Sequence, residues 1–295
     1  MEPGKNLLLA FADEAALARE LAAALALPLA FVTRHRFPDG ELRLVLPKPL
    51  PERVLLLRGL PQPNDKLVEL LIAAPAAREW GASRLWLIAP YLAYMRQDME
   101  FTPGEAVSQR HIARLLAGHF ERVITIDPHL HRIASLDEVM PAGTGLALSA
   151  APLLGAWIAQ QVPGALLIGP DAESAQWVRE AARAGGLEHA VGSKLRQGDH
   201  QVSLVLPDMP VAGRAVVLLD DMASTGRTLI GAAQGLLARG AASVDVAVTH
   251  ALFNGDALPA LRAAGVRHVW SSNTVPHASN AVSVAPLLAA AIGAA

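Results

Sequence analysis

Six segments carry residue types able to do chemistry, and the most informative is 216–228, Val-Val-Leu-Leu-Asp-Asp-Met-Ala-Ser-Thr-Gly-Arg-Thr. An apolar run of strand length ends in Asp220 and Asp221, and small or hydroxylated residues then lead into a helical pattern over 228–237. In an open α/β sheet, ligands bind beyond the carboxyl ends of the strands. A helix starting there offers backbone N–H groups and a positive dipole end to a phosphate. Ser224, Thr225 and Thr228 add hydroxyl donors, and Gly226 lets the backbone come close to an anion. Asp220 and Asp221 would repel that phosphate; acceptor-only carboxylates suit vicinal sugar hydroxyls or a metal. Diol at one end and phosphate at the other outline a cradle for ribose 5-phosphate. The sequence holds no G-x-x-x-x-G-K-[ST] phosphate loop.

Five other segments offer complementary groups. Residues 90–98, Pro-Tyr-Leu-Ala-Tyr-Met-Arg-Gln-Asp, follow a strand-like run and continue through Gly104 and Glu105 into a helix. There Arg96 and Gln97 are planar donors suited to a phosphate and a purine edge. In 126–132 His129 and His131 stand two apart after a strand, a spacing that serves metal binding, phosphate orientation or capping alike. Residues 167–173 bring Asp171 to a strand end, as turn residue, as cap, or together with His129 as a magnesium ligand. Lys194 and Arg196 alternate within 191–200, so an extended backbone points both to one side. That pattern reads as a phosphate clamp or as a solvated hairpin. In 36–41, Arg-Phe-Pro-Asp-Gly-Glu, the turn needs Pro38, Asp39 and Gly40 but not Phe37. The Phe37 ring, with acceptors beside it, either holds an adenine or anchors the turn in the core.

The elements that must position these groups read as alternating strands and helices. Strands are predicted over 7–11, 42–46, 54–57, 85–89, 123–126, 165–168, 202–205, 215–219, 244–248 and 266–270. Helices are predicted over 14–25, 67–80, 106–116, 174–184, 228–237 and 257–263, the second kinked or broken at Pro75, with a closing helix over 282–294. This is the pattern of parallel α/β architecture in two similar halves. Turn residues at 141–145 set the expected domains at 1–145 and 146–295.

At 295 residues the chain is long for one domain and comfortable for two. A hydrophobic fraction of 52% implies a substantial core, and a net charge of −2 gives no reason to expect nucleic-acid binding. The absence of cysteine excludes disulfides and thiolate metal sites. The longest apolar stretches, 21–32 and 281–295, are shorter than the roughly 18–20 residues of a membrane span, and the opening residues are not a signal peptide. A cytoplasmic protein without a membrane partner is expected.

Taken in order, these segments resemble the ribose-phosphate diphosphokinase family from Phe37 to Asn273. The sugar loop alone resembles that of phosphoribosyltransferases as well, but the group around Arg96 and the Lys194-x-Arg196 pair are not part of theirs. The resemblance implies two tandem phosphoribosyltransferase-like α/β domains, each with a mostly parallel sheet flanked by helices, with the active site between them. It implies that Arg96, Gln97 and Asp98 bind ATP, and that Phe37, Asp39 and Glu41 reach the adenine from a neighbouring subunit of a homo-oligomer. It assigns His129 and Asp171 to Mg2+ and Asp220, Asp221, Ser224, Thr225, Gly226, Arg227 and Thr228 to ribose 5-phosphate. Lys194 and Arg196 become a mobile catalytic pair. Arg227 and Glu173 depart from the small residues usual at their places, and 194–199 looks like the short archaeal-type loop.

The implied reaction is attack of the anomeric hydroxyl of ribose 5-phosphate on the β-phosphorus of ATP, giving phosphoribosyl diphosphate and AMP. Such a transfer needs in-line placement and charge neutralisation more than covalent help. The alternatives are a phosphoribosyltransferase that consumes the diphosphate and a non-catalytic regulatory paralogue.

Overall fold

A computed structural model describes the backbone of residues 4–197, 201–205 and 207–294, and their side chains except between 194 and 205. The chain divides into two units, Met1–Leu148 with Ala285–Ala295, and Ser149–Val284. In the first, β1 (Asn6–Phe11), α1 (Ala15–Leu25), β2 (Leu29–Arg36), β3 (Leu42–Val45), β4 (Arg53–Leu57), α2 (Pro63–Glu79), β5 (Arg84–Ala89), α3 (Ser108–His119), β6 (Arg122–Ile126) and β7 (Gly145–Leu148) follow one another. They make a seven-stranded sheet of order β3-β2-β1-β4-β5-β6-β7, parallel except for the β2–β3 hairpin. Val54, Leu56, Leu85, Leu87 and Val123 bury one sheet face with Leu67, Leu70 and Leu116 of α2 and α3. Near-continuous apolar strands of this kind are what a sheet covered on both faces requires.

The second unit contains α4 (Ala151–Gln161), β8 (Leu166–Gly169), α5 (Ala175–Gly185), β9 (Glu188–Val191), β10 (Ser193–Gln197), β11 (Gln201–Val205), β12 (Ala215–Ala223), α6 (Arg227–Ala238), β13 (Ser243–Ala251), α7 (Ala257–Ala263), β14 (Val266–Ser272) and β15 (Asn280–Val282). Its six-stranded parallel sheet has the order β15-β14-β13-β12-β8-β9, and β10 with β11 forms a separate antiparallel ribbon. Val216 and Leu218 pack on α6 residues Leu229, Ala233 and Leu236. Val217 and Leu219 face the other way, onto Leu154 and Ile158 of α4 and Val178 of α5. The last helix, α8 (Ala285–Gly293), returns to the first unit and packs on α1.

Two mostly parallel sheets flanked by helices match the expected class, with differences in detail. The division falls after Leu148, and the closing helix counts with the first unit instead of the second. Strand β12 extends through Asp220 and Asp221 to Ala223, because β13 continues the ladder as far as Ala223↔Ala251. Pro75 lies inside α2 without ending it, and Pro63 opens that helix, where a missing N–H costs nothing. Residues 29–36 form a strand that was not expected. The preceding helix ends on Ala26 in the left-handed region (φ +52°), without a glycine to announce the stop.

Each sheet winds in both directions from a switch point. In the first unit the neighbours there are β1 and β4; in the second they are β8 and β12. Crevices beyond the carboxyl ends of such strand pairs are where open α/β sheets take ligands.

Candidate active site

In the second unit, the switch point is lined by the loops after β8 and β12. Gly169 ends β8 with no room for a side chain, since a Cβ there would stand 2.2 Å from Ser174 Oγ. The tight turn that follows is built by Asp171, whose Oδ1 accepts from Glu173 N at 3.0 Å and whose carbonyl accepts from Ser174 Oγ at 2.6 Å. Asp171 is buried, as is Asp221, while Asp220 keeps part of its surface open. Asp220 Oδ1 accepts from Asp221 N at 2.9 Å. Burial, then the charges of Asp221 and Asp171, hold the Asp220 carboxyl well above its ordinary value. Three carboxylates thus converge on one corner, as sequence spacing suggested for two.

Beyond them, Gly226 takes φ +70° and caps α6, a backbone state that disfavours any residue with a Cβ. The loop before it is tied down by Asn254, whose N donates to Ser224 O at 3.1 Å and whose Nδ2 donates to Ser224 Oγ at 3.1 Å. No side chain caps the helix N-terminus, and its first turn contains no acid. Exposed Arg227 instead adds a cation at the positive end of the dipole, which an anion would offset. Asn254 has no counterpart in the sequence reading: only the pairing of β12 with β13 brings it to Ser224.

Gly192 N donates to Gly169 O at 2.8 Å, so the chain entering β10 is rooted at this same switch point. In the ribbon, Lys194 pairs with Leu204 and Arg196 with Val202. The side chains of Lys194 and Arg196 lie outside the described residues, as do Gly198, Asp199 and His200 entirely.

The first unit gathers the groups expected on the nucleotide side. Arg96 is exposed within the loop that joins β5 to α3. Gln97 Nε2 donates to Glu105 Oε2 at 2.9 Å and to Met99 O at 3.1 Å, and Glu105 also accepts from Phe101 N at 3.1 Å. The hydrogen bond from Gln97 is the largest influence lowering the Glu105 carboxyl. Asp98 is buried and accepts from Arg132 Nη1 at 2.8 and 3.0 Å, so it ties this loop to the one after β6. Within that second loop, His129 and His131 meet through their Nε2 atoms, with ring centroids 3.8 Å apart.

The hairpin between β2 and β3 carries Phe37, Asp39 and Glu41 at its exposed tip. Gly40 N donates to Phe37 O at 2.9 Å, and Glu41 N to Asp39 Oδ1 at 3.1 Å. Phe37 is 37% exposed with its ring edge-on to His35, so it does not anchor a core. Arg36 pairs with Asp65, and Tyr94 donates to Asn64, so the hairpin and the Arg96 loop both attach to the first turn of α2.

The corresponding switch point of the first unit is already filled. Arg58, fully buried, contacts Asp13 at 2.8 Å, Glu14 at 3.2 Å and Glu69, while its guanidinium lies 4.3 Å from the Phe11 ring centroid. Glu14 Oε1 accepts from Gly59 N at 2.6 Å, Arg34 joins Glu69 at 2.5 Å, and Lys66 stands 3.9 Å from Asp13. Burial raises the Glu14 carboxyl despite Arg58, and burial lowers the Lys66 ammonium. Sequence reading missed this network, although acids directly after β1 were a visible counterpart of Asp171.

Each unit, taken by itself, offers donors of the kind a divalent cation takes. His129 and His131 present ring nitrogens at the end of β6, and Asp171 and Asp220 present carboxylates at the ends of β8 and β12. Among the described residues, no three His, Asp or Glu side chains form a ready-made metal cage. Such partial sets are typical of ions that keep waters and take phosphate oxygens from a substrate. No helix among the described residues is long and apolar enough to cross a membrane.

Comparisons with known proteins place this geometry among relatives. The profile of the N-terminal domain of ribose phosphate pyrophosphokinase matches residues 7–119, and that of the phosphoribosyl synthetase-associated domain matches residues 201–292. A ribose-phosphate pyrophosphokinase of Methanopyrus kandleri is 38% identical, over 97% of this chain and 98% of its own. One from Halobacterium salinarum is 34% identical over 97% of this chain and all of its own. The crystal structure of phosphoribosylpyrophosphate synthetase from Mycobacterium smegmatis superposes with a TM-score of 0.84 at 27% identity, covering 98% of both chains.

Proposed function

The chain belongs to the ribose-phosphate pyrophosphokinase family, and we infer that it transfers the diphosphoryl group of ATP to the anomeric hydroxyl of ribose 5-phosphate, giving phosphoribosyl diphosphate and AMP. The observation that carries this reading is the second unit's switch point, where three carboxylates stand beside a helix N-terminus that lacks any acid and bears Arg227. That pairing suits a sugar diol joined to a phosphate. A phosphoribosyltransferase is not favoured, because the similarity to pyrophosphokinases runs the length of the chain.

We assign the 5-phosphate to the amides and hydroxyls of Ser224–Thr228, and the sugar hydroxyls to Asp220 and Asp221. Arg96 and Gln97 bind ATP; Asp98 supports them by holding Arg132. Lys194 and Arg196 neutralise charge on the transferring group, a role that suits a ribbon whose entry is rooted at Gly169. Mg2+ held by His129 and Asp171 would supply charge neutralisation on the phosphates.

The homo-oligomer is likewise a proposal. Val45, Val68, Leu71 and Ile72 are exposed on β3 and along α2, together with Phe37 at the hairpin tip. A helix apolar on its outer side as well as its core side is one that another surface covers. A second subunit there would place the exposed Phe37, Asp39 and Glu41 near a neighbour's ATP. A cytoplasmic location suits an enzyme acting on such substrates. Incubation with ribose 5-phosphate, ATP and Mg2+ should give AMP and phosphoribosyl diphosphate in equal amounts. Failure to form AMP, or nucleotide formation from phosphoribosyl diphosphate and a free base, would overturn the reading.

A further inference from the structure

His131 has no role in the reaction as described, yet the structure directs it to the same point as His129. The two rings meet edge to face, 66° apart with centroids 3.8 Å from each other, and both present Nε2 to the contact. Neither ring is sealed in the core; both are half-buried. The backbone that holds them is fixed at both ends. Asp127 is buried, adopts φ +37° and donates its N–H to Leu148 O at 2.8 Å, and Arg132 is held by two bonds to Asp98. Two ring nitrogens converging from an i, i+2 pair on a pinned loop have the arrangement of a bidentate chelate, whose remaining ligands would be water and phosphate oxygens.

A metal bound at about 2.0–2.1 Å to each nitrogen needs them only about 3 Å apart. A slight rotation of either ring supplies this. Mg2+ favours oxygen ligands, whereas neutral imidazole suits Zn2+, Ni2+, Co2+ and their neighbours.

We propose that His131 is a second imidazole ligand at the metal position marked by His129, and that the pair binds first-row transition dications in preference to Mg2+ before nucleotide arrives. This rests on His129 being metal-associated, as proposed above. A site of this kind sets which cation the enzyme carries to ATP when several are present.

The test is direct titration of tag-free, full-length protein without substrates. Calorimetry with CoCl2 and with MgCl2, and the visible absorption of bound Co2+, are followed for wild type, His131→Ala, His131→Gln and His129→Ala. Circular dichroism confirms that each variant is folded. One Co2+ per chain should bind at least ~100-fold more tightly than Mg2+. Both His131 variants should weaken Co2+ by ~10–100-fold, the scale of disturbing a metal site, with a changed Co2+ spectrum and Mg2+ affinity altered by less than about threefold. If only His129→Ala weakens Co2+, the pair is refuted while the reading of His129 stands. If neither position affects Co2+, both fall. Equal affinity for Co2+ and Mg2+ in the wild type also overturns the proposal.

Discussion

Arg58→Met is the sharpest test of how the first unit is held together. Arg58 has no exposed surface, and its side chain faces Asp13, Glu14 and Glu69, of which Glu14 and Glu69 are themselves buried. Methionine keeps much of the volume and removes the cation, leaving two buried carboxylates short of a partner. Breaking a buried ion pair from one side costs about 3–5 kcal/mol. Arg34 at 2.5 Å from Glu69 and Lys66 at 3.9 Å from Asp13 remain, so the loss should sit near the lower end, about 3 kcal/mol. That is a large share of a typical total of about 5–15 kcal/mol. At roughly 2–4 °C per kcal/mol for a unit of this size, the transition should fall by about 6–12 °C. Urea unfolding followed by tryptophan fluorescence in a Trp157→Phe, Trp177→Phe, Trp270→Phe background reports on the first unit alone, through Trp80 and Trp86. Adding Glu14→Gln and Glu69→Gln should recover about 2 kcal/mol or more, since neutral amides no longer need the guanidinium. A loss below about 1 kcal/mol, or no recovery in the triple variant, would show that Arg58 does not hold those carboxylates in place.

Four other outcomes are expected. Lys194→Ala should lower kcat by roughly 10²–10³-fold with little change in ribose 5-phosphate binding; steady-state AMP release checks this, and near-normal turnover removes Lys194 from the mechanism. Asp221→Ala should weaken ribose 5-phosphate while sparing ATP, as read by separate calorimetric titrations. Because Asp220 titrates well above its ordinary 3.8 in the folded chain, the native state holds more protons than the unfolded one above that pH, and stability declines as pH rises through the window. Asp220→Asn should therefore gain on wild type between pH 4 and 8 in urea titrations, and a flat difference contradicts the assignment. Mixing a Phe37→Ala, Asp39→Ala variant with Lys194→Ala, with subunit exchange verified, should restore part of the activity by forming some complete sites; no recovery would place the adenine pocket within one chain.

What the sequence disclosed followed the strength of local signals. Buried strands such as Arg84–Ala89 and Ser243–Ala251 are dominated by Val, Leu, Ile and Ala and read as strands unaided. Leu29–Arg36 does not, since it starts apolar, ends in an exposed Thr-Arg-His-Arg that pairs only with β3, and follows a helix stopped by alanine. The loop proposed for phosphate was conspicuous because Gly226, which takes a positive φ and caps α6, and its hydroxylated neighbours are contiguous. The partners that fix such groups were not: Asn254 reaches Ser224 across 30 residues, and Arg132 reaches Asp98 across 34. Arg58 was the least visible of all, an arginine inside an apolar run whose three acids arrive from α2 and from the turn after β1.

The return of α8 to the first unit reverses the usual order of assembly. Domains of a growing chain generally fold as units, with the N-terminal one first. Here the earlier unit lacks a piece that is encoded at 285–295, after every residue of the later one. On the ribosome, the second unit is therefore complete while the first still waits for this helix, with the α1 surface beneath it bare. A chain cut short before residue 285 would keep the whole second unit but leave the first unfinished.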